Sequence, residues 1–103
     1  MLNQVIIVGR LVARPIVKYN ESGRKISEIT LAVPRSFKND VGLYDTDFIK
    51  CTLCNNIAEN TAEYCEKGDL IGVKGKLQCL SGNELQVVAE KVSFLATNKT
   101  KEE

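Results

Sequence analysis

Asn56-Ile-Ala-Glu-Asn-Thr-Ala-Glu-Tyr-Cys-Glu-Lys-Gly68 is the stretch where apolar residues recur at helical spacing, in a sequence that otherwise reads as strand. Ile57, Ala58, Thr61, Ala62 and Cys65 make one continuous face of a helix spanning Asn56 to Lys67. Asn56 is placed to cap its start, with Glu59 three residues on to complete a capping box. Gly68 stands where a C′ glycine would end it.

Working outward, β-branched runs and turn clusters alternate. Val5 to Val12 is a strand interrupted by Gly9, which predicts a bulge or a bend. Asn20-Glu-Ser-Gly23 is a turn, followed by the alternating run Lys25 to Val33. Asn39-Asp-Val-Gly42 is a second turn, and Thr46 to Leu53 the next strand. After the helix come Leu70 to Leu80, with Gly72 and Gly75 inside it, the tight turn Ser81-Gly-Asn83, and a last strand from Glu84 to Leu95. Five strands with one helix between the third and fourth, and glycines where a small barrel must bend, predict a mainly all-β chain. The expected fold is a five-stranded OB-fold Greek-key barrel. It occupies residues 1–96 and leaves 97–103 as a short flexible tail.

The 103 residues suit one domain, and such a chain buries about 60–70% of its unfolded surface without needing a metal or disulfide. The net charge is +1, so this is no strongly basic protein. The charge is nevertheless uneven: the first fifty residues carry eight bases and five acids, the remainder six bases and eight acids. A basic half can meet a polyanion while the total stays near zero. No basic leader precedes the short apolar run at the N-terminus, which favours a cytoplasmic, nucleoid-associated protein with reduced cysteines and no membrane partner.

Catalysis has little to stand on. The sequence contains no His, which removes imidazole acid–base chemistry and His-bearing metal sites. Cys51-Thr-Leu-Cys54 is formally a CxxC, but on a strand positions three apart point to opposite faces, so no shared metal or redox centre follows. Cys65 belongs to the apolar helix face, and Cys79 has no close second cysteine. Asp45 and Asp47 share a strand face, yet two carboxylates alone specify no reaction, and a solvated strand start accounts for them. Gly72-Val-Lys-Gly75-Lys76 lies inside a strand, the wrong context for a phosphate loop. Neither an enzyme nor a cofactor is expected.

A polymer-binding surface remains. Arg35-Ser-Phe37-Lys38 puts two cations around a ring at the end of one strand, and Phe48-Ile-Lys50 repeats the combination at the start of the next. Single-stranded nucleic acid needs this mixture, cations for phosphates and flat rings for unpaired bases. The competing place for both rings is the core, where phenylalanine usually goes.

The opening Met1-Leu-Asn-Gln-Val-Ile-Ile-Val-Gly9-Arg10-Leu11 resembles the first strand of bacterial single-stranded DNA-binding proteins. The resemblance runs on through Tyr19-Asn-Glu-Ser-Gly23, Ile29-Thr-Leu-Ala-Val33, Asp47-Phe-Ile-Lys-Cys51 and Tyr64-Cys-Glu-Lys-Gly68 to Ala89-Glu-Lys-Val-Ser-Phe94. It implies an OB barrel assembled as a homotetramer that wraps single-stranded DNA without sequence preference. Phe37 and Phe48 match the family's stacking aromatics, and Lys50 and Lys67 match basic DNA-contacting positions. Arg10, Lys18, Arg35 and Lys38 join them on charge and strand placement. Three features depart from the family. Cys54 stands where a stacking ring is usual, and Gln78-Cys-Leu-Ser-Gly-Asn-Glu84 replaces a long basic loop. The sequence stops at Asn98-Lys-Thr-Lys-Glu-Glu103 without the acidic, Pro-Phe-containing tip that recruits replication enzymes in the family, so either that recruitment is lost or the sequence is a truncated version. Two rivals stay open: a primosomal N-like dimeric accessory, and a protein-interaction barrel with little DNA affinity. Stacking and phosphate contacts do not distinguish DNA from RNA.

Overall fold

The computed structural model describes residues 1–97. Its elements are β1 (Val5–Leu11), β2 (Lys18–Tyr19), β3 (Lys25–Lys38), β4 (Tyr44–Cys54), α1 (Asn55–Tyr64), β5 (Leu70–Leu80), a 3-10 turn (Ser81–Asn83) and β6 (Glu84–Ala96). The strand order is β1-β5-β6-β4-β3-β2, and an extra β1–β3 pairing closes the barrel. All five predicted strands and the turn between β5 and β6 lie where the sequence predicts them, with β3 running on past Val33 to Lys38 and β4 starting at Tyr44 rather than Thr46. The two-residue β2 is an addition at the sheet edge, so in chain order the helix follows β4.

The barrel consists of two antiparallel ladders. One holds β1, β5 and β6; the other holds β2, β3 and β4. They meet at two short seams, Arg10↔Ala32 with Leu11↔Leu31, and the parallel pairs Cys51↔Val87 and Thr52↔Val88. Leu11, Ile29, Leu31, Leu53, Ile71, Val73 and Val87 fill the interior, and Ala58 and Cys65 bring the helix onto it.

Gly9 does not form a bulge. Its pairing with β5 is continuous, and its role is steric: a Cβ there would lie 2.8 Å from the Ala32 carbonyl oxygen, where β1 leaves β5 for β3. Gly75 does sit at a bulge, with Val88 backbone where its side chain would be. Gly72 has ordinary room and is not required by a bend.

The helix itself differs from its expected ends. It starts one residue earlier, after Cys54, with no side-chain cap, so the Asn56–Glu59 capping box is not formed. It ends at Tyr64 rather than Lys67. Cys65 returns to extended backbone, and the positive φ of Gly68 serves the turn into β5, where its N–H donates to the Leu11 carbonyl. The predicted inner face survives: Ala58 and Thr61 are buried in α1, with Cys65 beside them. Periodicity fixed the face, while contact with β1 and β5 fixed the exit. Of the expected tail at 97–103, everything beyond Thr97 lies outside the described residues.

Candidate nucleic-acid interface

β4 builds the centre of the site. Its residues alternate, so Cys51 and Leu53 are buried while Tyr44, Phe48 and Lys50 face outward. The reason is the register: Ile49 pairs with Leu31 over the core, which turns Phe48, opposite Ala32, to solvent. Ala32 also pairs with Arg10, so Arg10, Ala32 and Phe48 form one row across three strands. Phe48 is 63% exposed and Phe37 83% exposed, which removes the core as the place of either ring.

Phe48 stands between two grooves. One, about 580 Å³, has Val5, Ile7 and Val87 along its floor, Leu77 and Leu85 on its wall, and Lys50 with Glu84 at its rim. The other, about 430 Å³, runs past Val12, Thr30 and Arg14. An aromatic ring with a groove on each side can take a flat partner on either face.

Phe37 lies on the β3–β4 hairpin, where three residues of β3, Arg35 to Phe37, stand opposite Asp45 alone. This bulge follows Pro34, which has no N–H for the ladder. The turn beyond is held by the Asn39 side-chain oxygen, which accepts from the N–H groups of Val41 and Leu43. Past the bulge, Lys38 pairs with Tyr44 and its ammonium sits 5.9 Å from that ring's centre. Tyr44 is a third exposed ring on the Phe48 face, and sequence reasoning passed over it. The alternation Tyr44, Thr46, Phe48, Lys50 was the signal that could have found it.

The cations are not equally available. Lys50 donates to Glu84 at 2.7 Å, and that hydrogen bond, reinforced by the carboxylate's charge, raises its pKa. Arg35 makes a two-pronged bond to Asp47, with Nη2 donating to Oδ1 at 2.9 Å and Nε to Oδ2 at 3.1 Å. The same bond holds the Asp47 carboxyl below the usual carboxylate range. Asp47 is therefore an ion-pair partner rather than a bare solvated strand start, and Asp45 accepts from the Asn39 amide. Arg35 and Asp47 sit on the opposite face of β4 from Phe48, by alternation.

The remaining predicted cations are dispersed. Arg10 donates to the Gly68 carbonyl at 3.0 Å, which brings it to the loop that carries Lys67. Lys18 lies on β2, two strands from Phe48. Phe48, Lys50 and Arg10 thus share the central face with Lys38 farther along it, and Lys18 lies at the far edge of that face, in a row with Ile26 and Cys54, while Arg35 and Lys67 do not share it. Leu77, Leu85 and Glu84 were missed, because their approach to Phe48 depends on barrel closure.

Cys54 is partly buried, opposite Ile26, and offers no ring. Burial pushes the Cys51 thiol up to about 11, so it stays protonated near neutral pH. All four cysteines are free, and the described residues contain no cluster of three or more metal-ligating side chains. No helix among them is long and apolar enough to cross a membrane.

The profile of the single-strand binding protein family matches residues 2–95. The chain is 45% identical to single-stranded DNA-binding protein B of Bacillus subtilis, over 92% of its own length and 91% of that protein's. It is 39% identical to single-stranded DNA-binding protein 3 of Listeria innocua, over 96% of the chain and 67% of the relative. Against the single-stranded DNA-binding protein of Halalkalibacterium halodurans the identity is 43%, over 92% of the chain and 61% of the relative.

Proposed function

The chain belongs to the single-strand binding protein family, and from that premise we propose that it binds single-stranded DNA without sequence preference in replication, recombination or repair, with no catalytic step. The observation that carries this reading is Phe48, an exposed ring between two grooves beside Lys50 and Arg10. Bases stack on Phe48 and Phe37, while Arg10, Lys18, Arg35, Lys38, Lys50 and Lys67 neutralise phosphates. RNA satisfies the same contacts and stays a second ligand class.

Fluorescence anisotropy with labelled oligo-dT, at low and physiological salt with duplex competitor, tests the reading. Binding should resist duplex and weaken with a log–log slope of about −0.7 per phosphate contacted. No binding even at low salt would instead make the barrel a scaffold for protein partners. That second reading is favoured by the missing ring at Cys54 and by the acids already on Lys50 and Arg35.

Those acids supply a further test. The Glu84 carboxylate competes with phosphate for Lys50. Glu84→Gln should therefore raise oligo-dT affinity roughly two- to fivefold, in line with an exposed ion pair, and steepen the salt slope by about 0.7. An unchanged slope would remove Lys50 from the phosphate contacts.

Self-association belongs to the proposal as well. Ile6 and Val8 of β1 and Leu95 of β6 are exposed on the barrel's outer face, around Gly72. A second copy covering them makes a homodimer, the smaller alternative, and two such dimers make the homotetramer; light-scattering mass separates the two. We place this assembly in the cytoplasm, on the nucleoid.

A further inference from the structure

The groove on the β3 side of Phe48 does not end at Arg14. A third groove, about 450 Å³, continues past Ile16 and Lys18, and Ala13, Arg14 and Glu28 line both. The three grooves therefore form one track: Phe48 is shared by the first two, Arg14 by the last two. Ala32, opposite Phe48, and Ile26, opposite Lys18, are six residues apart on β3. At strand rise the track from Phe48 to Lys18 therefore spans about 20 Å.

The chemistry of the added stretch suits a continuing polyanion. Arg14 and Lys18 are exposed, and neither side chain makes a hydrogen bond or ion pair with another described residue. In this they differ from Lys50 and Arg35, which are already held by carboxylates. Ile16, 64% exposed, supplies an apolar seat between them. Glu28 lines the same wall, and its charge turns phosphates toward the Arg14–Lys18 side.

We infer that a strand seated on Phe48 continues across Arg14 into the groove between Ile16 and Lys18, with Arg14 and Lys18 on its phosphates and a base against Ile16. This rests on the reading of Phe48 as a base platform. Arg14 then acts as the junction that carries the backbone from one groove to the next. It is a DNA contact beyond the cations assigned from strand ends and family positions.

The chain contains no Trp, so Ile16→Trp and Phe48→Trp each create a sole fluorescent reporter. Both are to be titrated with dT oligomers of increasing length, alongside Arg14→Ala in the anisotropy assay. Long oligomers should quench both reporters. Arg14→Ala should weaken long-oligomer binding roughly threefold to tenfold and flatten the salt slope by about 0.7. If Phe48→Trp is quenched while Ile16→Trp is unquenched at every length, the strand leaves the barrel at Phe48 and the inference is overturned. If neither reporter is quenched, the platform reading falls with it.

Discussion

Replacing Phe37 and Phe48 together by alanine is expected to leave the barrel folded and to remove about 2–6 kcal/mol of single-strand affinity. The size follows from stacking, about 1–3 kcal/mol per base on each ring. Its lower end is already about thirtyfold in Kd. The fold should survive because both rings are exposed and neither belongs to the interior cluster. Circular dichroism and a thermal melt check the fold, and oligo-dT anisotropy reads the affinity. An unchanged Kd in the folded double variant would refute the stacking roles. The single variants should differ. Phe48 has a groove on either side and lies in a row with Arg10, whereas Phe37 sits on the hairpin past its bulge. Phe48→Ala should therefore account for the larger share.

The second large effect concerns the scaffold. Leu31 is fully buried and is the cross-strand partner of both Leu11 and Ile49. Leu31→Ala removes buried methyl groups and leaves a cavity where β1 meets β3, at a cost of about 2–5 kcal/mol. Against a typical domain stability of about 5–15 kcal/mol, that is a large fraction. Urea denaturation should show a lower midpoint with little change in slope. A loss below about 1 kcal/mol would mean that the interior is not organised around this residue. Since Ile49 leans on Leu31 and its neighbours Phe48 and Lys50 face outward, the variant should also bind oligo-dT less tightly at temperatures where the native barrel persists.

The strands were legible because period-two alternation and turn residues agreed. Leu70–Leu80 matches its prediction end to end, and the turns at Gly23 and Gly42 carry the positive φ their clusters imply. The helix face was legible from the helical spacing of Ile57, Ala58, Thr61, Ala62 and Cys65, but its ends were not. Capping chemistry at Asn56 and Gly68 gave way to the tertiary demand that Gly68 meet the Leu11 carbonyl. In the site, Phe37, Phe48 and Lys50 could be picked out from local mixtures of ring and cation. Glu84 on Lys50 could not, because 34 residues separate the partners and only barrel closure joins them. The Arg14 junction was invisible for a related reason: a groove is made by strands distant in sequence. Tyr44 was legible and overlooked, since its alternation with Phe48 was there to be counted.

The two seams of the barrel have a consequence for how binding and folding depend on one another. Each joins the ladders through only two residue pairs. The groove beside Phe48 takes Val5, Ile7, Leu77 and Leu85 from one ladder and Phe48 with Lys50 from the other. Whatever lies in it spans the β4–β6 seam and acts as a splint across a joint the backbone fastens lightly. Occupancy then favours the closed barrel over every state in which the ladders part, by an amount that grows with the logarithm of ligand concentration above Kd. A barrel holding a strand would be sturdier than the same barrel free in solution, and removal of the strand would return to it the looseness of an unsplinted joint.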